Sequence, residues 1–140
     1  MFKKTLSTLA ALTVVAMLVV ASQANAGGNN SNHRVRAELG GAGLASGKAD
    51  YRERMRQNTL EQRFSVEVED AEPGTIMTVE INGVVFGMFV VNDLGIGELE
   101  YRTPQFNDDP GTLPIPDGFP QLVAGDVITV GTLSGVFENH

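Results

Sequence analysis

The chain has 140 residues, no cysteine, no tryptophan and two histidines, and its formal net charge is −7. The lack of cysteine excludes disulfides, thiol chemistry, covalently attached haem and thiolate metal sites. The acidic balance disfavours nucleic acid and anionic lipid as partners, because both repel a negatively charged surface.

Residues 1–26 have the layout of a secretory signal peptide. Lys3 and Lys4 precede an apolar run over 9–20 that contains one polar residue, Thr13, and Ala-Asn-Ala at 24–26 is a small-x-small cleavage signal. The run has 12 residues, whereas crossing the hydrocarbon core of a membrane takes about 20. The sequence therefore predicts cleavage after that signal, no membrane anchor afterwards, and an exported protein that is periplasmic or extracellular.

The mature part, 27–140, is long enough for one domain with a single core. Its polar beginning at 27–33 has nothing to bury, so we expect a disordered leader followed by a domain at 34–140. Charge is uneven, because 27–66 carries seven basic and four acidic side chains, whereas 67–140 carries only Arg102 against thirteen acids. Either neighbouring strands offset each other's charge, or a basic strip binds an anionic partner.

Short apolar runs separated by Gly, Pro, Asn and Asp are typical of an all-β domain. Several runs alternate apolar with polar residues, which indicates strands with one face on the core and one in water. The candidate strands are 34–39, 47–57, 62–69, 75–81, 84–91, 97–103, 126–130 and 133–138.

Two hairpins are predicted from their turn residues. Asn82-Gly83 is the preferred dipeptide for a two-residue type I′ turn, and Gly131-Thr132 suits a type II′ turn. The register that follows from each turn sets apolar residues opposite one another, in agreement with the hydrophobic pattern. The predicted pairs are Ile81 with Val84, Val79 with Phe86, Met77 with Met88, and Val130 with Leu133.

Residues 104–125 contain five of the six prolines and are predicted to form a long loop without a regular strand. A loop of that length in a small domain is commonly functional or packed by its own side chains. Phe106, Ile115, Phe119 and Leu122 are the residues expected to attach it to the sheets.

We expect no enzymatic activity from this sequence. A serine hydrolase needs a held base, and the histidines are His33 in the predicted leader and His140 at the last position. The same positions argue against the usual zinc or copper site. A carboxylate pair acting on a glycoside is the third hypothesis, a small hydrolase. The glutamates that alternate on two predicted strands, however, face solvent rather than a cleft: Glu67, Glu69, Glu98 and Glu100.

Calcium is a possible ligand, because it takes oxygen ligands and needs neither histidine nor cysteine. Asp93 follows the fifth predicted strand, and Asp108 and Asp109 lie in the long loop. Ordinary turn chemistry also explains these residues, and the spacing of an EF-hand is absent.

Arg52, Arg54 and Arg56 alternate along one predicted strand and therefore share a face. One interpretation is cross-strand pairing with Glu67 and Glu69, or protection of an exposed sheet edge. The other is a docking strip for an acidic polysaccharide or an acidic protein surface.

Several short segments resemble the CHRD (chordin-type) domain. They are Ala-Glu-Leu-Gly-Gly at 37–41, Ala-Ser-Gly-Lys-Ala at 45–49, the strand 63–69, Leu-Val-Ala-Gly-Asp at 122–126 and Leu-Ser-Gly-Val-Phe at 133–137. Where CHRD domains carry a histidine-containing segment, this chain has Val-Glu-Ile-Asn-Gly at 79–83, so a metal role does not carry over. The resemblance implies an exported Greek-key β-sandwich without catalytic activity.

The sequence thus predicts a single antiparallel Greek-key β-sandwich of about eight short strands. Its predicted role is binding or envelope structure through its surface, with an envelope or extracellular protein or polysaccharide as partner. A calcium- or carbohydrate-binding module is the alternative. The lack of tryptophan and the wide separation of the two tyrosines disfavour the stacking of sugars on aromatic rings.

Overall fold

A computed structural model describes residues 32–140, so the predicted signal peptide and most of the predicted leader lie outside the described residues. Within that range the chain is all-β, as predicted, with ten strands and one short 3-10 turn at Pro104–Phe106. None of the described residues forms a helix with the length and hydropathy needed to cross a membrane. The strands are β1 His33–Leu39, β2 Ser46–Arg56, β3 Thr59–Glu69, β4 Ile76–Ile81, β5 Val84–Val90, β6 Gly97–Arg102, β7 Leu113–Pro114, β8 Val127–Val130, β9 Leu133–Val136 and β10 Glu138–Asn139.

The strands form two sheets that enclose one core. The larger sheet has the order β10-β1-β2-β3-β6-β7, the smaller has the order β5-β4-β8-β9, and every pairing except β6 with β7 is antiparallel. Alternate residues of both sheets point inward and form a single cluster of buried apolar side chains. The largest of the fully buried side chains are Tyr51, Phe64, Phe137, Ile81, Leu122 and Ile128.

The β2–β3 hairpin is longer than the sequence predicted. Each strand has 11 residues, and the turn is Gln57-Asn58, with φ angles of 50° and 61°. Asn58 suits such a left-handed position, but Gln57 does not and there is no glycine, so the dipeptide lacks the usual pattern of a tight turn. The consequence is that β2 lies between β1 and β3 and is not a sheet edge.

The β4–β5 hairpin confirms the predicted turn but not the whole register. Asn82 and Gly83 have φ angles of 49° and 82°, and Ile81 pairs with Val84. Beyond Glu80 a bulge shifts the pairing, so that Val79 opposes Gly87 and Met77 opposes Phe89. The predicted pairs of Val79 with Phe86 and Met77 with Met88 are therefore wrong.

The bulge has a steric cause in the larger sheet. The Tyr101 hydroxyl donates a hydrogen bond of 2.8 Å to the Phe86 carbonyl, which ties β6 to β5. A side chain at position 87 would overlap that hydroxyl, so a glycine must occupy the inward position there. The bulge adds one residue to β5, Phe86, which has no cross-strand partner. As a result Gly87 lies beneath Tyr101, and the Phe86 ring contacts Phe119 of the long loop.

The second predicted hairpin is confirmed, because Val130 pairs with Leu133 and Gly131 has a φ angle of 58°. Its last strand ends earlier than predicted, at Val136. Phe137 is buried, and the chain then crosses to the larger sheet, where β10 pairs with β1.

The long loop packs against the core through its own side chains. The Phe119 ring lies 5.2 Å from Phe64 and 5.1 Å from Phe86 between ring centres. Leu122 is fully buried, and Ile115 is partly buried against the core. The expectation that this loop lacks any strand is wrong at β7, which adds a short parallel pairing to β6.

The predicted leader ends earlier than expected, because His33 is the first residue of β1. Its Nε2 lies 2.7 Å from the Leu122 carbonyl oxygen, and its ring meets Tyr51 edge-on. His140 is also held, since its backbone N–H donates to the Arg34 carbonyl. A histidine in a disordered leader was not expected to be held, and for the His33 ring this is wrong; for His140 the contact is made by the backbone alone.

Candidate anion-binding face

All seven arginines of the sequence lie on the outward face of the larger sheet. The inward positions of β1, β2, β3 and β6 are largely taken by buried apolar and aromatic residues, and the arginines occupy the alternate positions. We call this surface the arginine face. Its arginines are Arg34 and Arg36 on β1, Arg52, Arg54 and Arg56 on β2, Arg63 on β3, and Arg102 on β6.

Strand register aligns four of these arginines in one row across the sheet. Arg34 pairs with Arg52, Arg52 with Arg63, and Arg63 with Arg102. Neighbouring strands lie about 4.8 Å apart, so the row spans about 14 Å. Like charges in directly opposite positions destabilise a sheet, so this row is a cost to the fold.

Glu61 lies under the arginines at one side of the row. Its side chain is only 5% exposed, and it accepts hydrogen bonds from Arg54 at 2.7 Å and from Arg102 at 2.7 Å and 3.0 Å. Burial opposes ionisation, but the hydrogen bonds and charges of these two arginines outweigh it and hold the pKa of Glu61 below its ordinary value. Arg56 completes the cluster, 3.9 Å from Glu61 and over the Phe106 ring.

Two more acids bind arginines from the other side of the row. Asp50 accepts hydrogen bonds from Arg34, at 2.8 Å for the shortest, and from Arg36. Although burial opposes ionisation of this group too, the two guanidinium groups lower the pKa of Asp50. Arg63 forms an ion pair of 2.6 Å with Glu100.

Arg52, in the middle of the row, differs from its neighbours. Within residues 32–140 no carboxylate forms an ion pair with it, and its cross-strand neighbours are Arg34 and Arg63. A groove of about 430 Å³ on this face has all three of these arginines and Ser65 at one end, and it continues over acidic residues at the other. The acids that line it are Glu38, Asp50, Glu67, Glu98 and Glu100. The groove therefore presents a guanidinium group whose charge has no internal partner in the part of the chain that the structure describes.

Basic and acidic side chains are distributed unevenly over the arginine face. The row and the side toward the Gln57-Asn58 turn carry six of the arginines and one acid on the strands, Glu61, while Asp108 of the long loop lies 3.7 Å from Arg102. The other side carries two basic side chains, Arg36 and Lys48, among seven acids. These acids are Glu38, Asp50, Glu67, Glu69, Glu98, Glu100 and Glu138.

Arg52, Arg54 and Arg56 share the face that their alternation predicted. Their predicted partners are wrong, because the register places Glu61 opposite Arg54 and leaves Glu67 opposite Lys48. Edge protection is also wrong, because β2 is an internal strand. The other four arginines were not predicted to belong to this face, although their alternation with buried Val35, Ala37, Phe64 and Tyr101 indicates it.

The three aspartates of the predicted calcium site are not brought together. Asp93 lies in the turn after β5, whereas Asp108 and Asp109 lie in the long loop. Asp108 is 95% exposed and 3.7 Å from Arg102, and Asp109 accepts a hydrogen bond from the Gly111 N–H. No group of three His, Cys, Asp or Glu side chains among residues 32–140 is placed to hold a metal ion.

An inward polar cluster connects the long loop to β2 and β3. The Tyr51 hydroxyl donates to Glu53 at 2.8 Å and accepts from Gln62 at 3.0 Å, and Gln121 of the loop donates to Glu53. Burial is the main reason that the pKa of Tyr51 is raised. No buried side-chain nitrogen or oxygen in the described part of the chain lacks a hydrogen-bond partner, so this cluster serves to hold the loop.

No protein-family model matches the sequence, and no curated protein is significantly similar to it. The resemblance of the segments within 37–69 and 122–137 to the CHRD domain therefore stays a prediction.

Proposed function

We propose that this chain is an exported, non-catalytic β-sandwich module that binds an anionic partner through the arginine face. The observation that carries this proposal is the position of Arg52, which has an arginine on either side and no ion pair in the described range. Export is supported by the signal-peptide layout of 1–26, and a Greek-key connection by the CHRD resemblance.

The row of arginines lowers the stability of the free protein. Opposite arginines repel one another across each strand pair, and uncharged side chains at these outward positions would avoid that repulsion. A bound anion offsets this repulsion between arginines, because each guanidinium group offers two parallel N–H donors to a carboxylate, sulfate or phosphate. The row therefore favours the protein with an anion bound over the free protein.

The division of charge explains how a protein with a net charge of −7 can bind an anion. The six arginines on one half of the face produce a local positive field, although the chain as a whole is acidic. Asp50 and Glu100 lie beside the row, but each is bound to an arginine. Because salt screens interactions beyond about 10 Å at 0.1 M, an anion over Arg52 responds to the row more than to acids at the far end of the face, such as Glu69. Binding is therefore expected to weaken as salt rises.

The test is elution of the purified protein from immobilised dextran sulfate, with neutral dextran as the reference matrix. Wild type is expected to be retained at low salt, and Arg52→Gln is expected to elute at lower salt because the unpaired guanidinium group is gone. Lys48→Gln removes the same charge from the acidic half of the face and serves as the matched control. Wild-type protein that is not retained, or equal shifts for the two variants, would contradict the proposal.

A further inference from the structure

We infer that the anionic partner is a linear acidic polysaccharide that crosses the strands along the row of Arg34, Arg52, Arg63 and Arg102. This inference rests on the proposed function and adds to it the class of the ligand and its path over the sheet.

The linear arrangement of the row argues for a chain rather than a compact anion. The four positions follow one another across four adjacent strands at the strand spacing of about 4.8 Å, and they do not converge on one point. A single carboxylate or phosphate can therefore bind two neighbouring arginines at most. A polymer that carries an acidic group on successive sugars can bind all four.

The acids of the face restrict the path of that polymer. A polyanion running parallel to β2 or β3 would pass from the arginines onto the half that carries Glu67, Glu69 and Glu98. Like-charge repulsion opposes that path. A polyanion perpendicular to the strands stays over the row. The acids that flank this path are bound to arginines: Glu61 to Arg54 and Arg102, Asp50 to Arg34, and Glu100 to Arg63.

The side chains of the face disfavour a protein or a nucleic acid as the partner. The outward positions of β1, β2, β3 and β6 hold only charged and small polar residues. Protein interfaces are centred on apolar and aromatic residues, and single-stranded nucleic acids stack their bases on aromatic rings. The phosphates of a duplex nucleic acid would also meet the acidic half of the face.

An acidic polysaccharide meets these conditions. Its carboxylate or sulfate groups suit the guanidinium forks, and its hydroxyl groups suit polar neighbours such as Ser65. It needs no apolar core or aromatic platform for such contacts. Arg52 is expected to contribute most, because Arg34 and Arg63 already bind Asp50 and Glu100.

The experiment is calorimetric titration of the protein with oligogalacturonides of increasing length at low salt. We expect affinity to rise steeply up to about four sugar units, one for each arginine, and to change little for longer chains. Arg52→Gln is expected to lower the affinity for the four-unit oligomer about tenfold, or about 1.4 kcal/mol, because the guanidinium group without an internal ion pair is lost. Lys48→Gln is expected to stay within about twofold of wild type, because Lys48 lies outside the row.

Other probes separate failure of this inference from failure of the proposed function. If inorganic phosphate or a galacturonate monomer binds as tightly as the four-unit oligomer, the anion site stands but the linear polysaccharide is wrong. If single-stranded oligodeoxynucleotide of equal charge binds more tightly than the oligogalacturonide, the class of polymer is wrong. If none of these probes binds and dextran sulfate does not retain the protein, both proposals fail.

Discussion

Replacement of Glu61 by glutamine tests how the arginine face is held together. The carboxylate is 5% exposed and accepts three hydrogen bonds from two arginines, of which Arg102 is 18% and Arg54 34% exposed. Removing one member of a buried ion pair costs about 3–5 kcal/mol, and the partial exposure of Arg54 reduces that figure. We therefore expect Glu61→Gln to lower the free energy of unfolding by about 2–4 kcal/mol at neutral pH.

The loss of stability caused by Glu61→Gln is expected to depend on pH. Because the folded-state pKa of Glu61 is lowered from its ordinary value of 4.5, its stabilising effect is fully present above that value. The effect is lost as pH falls through the folded-state pKa. The difference between wild type and Glu61→Gln is therefore expected to be constant at neutral pH and to narrow below about pH 4.5.

The assay is urea unfolding followed by circular dichroism at several pH values between 3 and 7. Glu67→Gln is the matched control, because Glu67 forms a pair of 3.7 Å with Lys48 and both side chains are exposed. An exposed pair of this kind contributes about 0.5 kcal/mol or less. If Glu61→Gln costs no more than Glu67→Gln, or if its cost does not shrink on acidification, the described role of Glu61 is refuted.

Three further predictions concern the core and its turns. Gly87→Ala is expected to cost about 1–3 kcal/mol because the new Cβ overlaps the Tyr101 hydroxyl, and the cost should shrink in a Tyr101→Phe background; equal costs would contradict the overlap. Burial raises the pKa of Tyr51 and Tyr101, so the unfolded state loses protons first and stability should fall above about pH 10; an unchanged slope in Tyr51→Phe would argue against this. Gln57 has a left-handed backbone that is strained for this residue type, so replacing Gln57-Asn58 with Asn-Gly is expected to raise the free energy of unfolding by about 1 kcal/mol. No increase in the urea midpoint would refute that strain.

Much of the fold could be predicted from alternation and turn chemistry. The eight predicted strands correspond to eight of the ten in the described range, and the Asn82-Gly83 turn fixes the first pairs of its hairpin. The bulge at Phe86 could not be predicted, because it depends on Tyr101, a residue of the other sheet. The Gln57-Asn58 turn was missed for a local reason, since neither residue gives the usual glycine signal.

The candidate site was only partly predictable for a similar reason. Alternation alone places Arg52, Arg54 and Arg56 on one face, since that property belongs to a single strand. The row that includes Arg34 and Arg102 depends on the registers of three strand pairs. A shift of one residue in any of them would move an arginine to the other side of the sheet.

The acids beside the row do more than neutralise arginines. Asp50 and Glu100 hold Arg34 and Arg63 from one side, and Glu61 holds Arg102 from the other, so three of the four arginines have fixed partners before a ligand arrives. Fixing long side chains in advance lowers the entropy lost on binding, which is about 0.5–1.5 kcal/mol for each side chain immobilised. A face with the same arginines and no acids would be more positive but less ordered. The observed arrangement keeps the flanking arginines in place and leaves the charge of Arg52 available, which is what a surface needs to recognise an anion by shape as well as by charge.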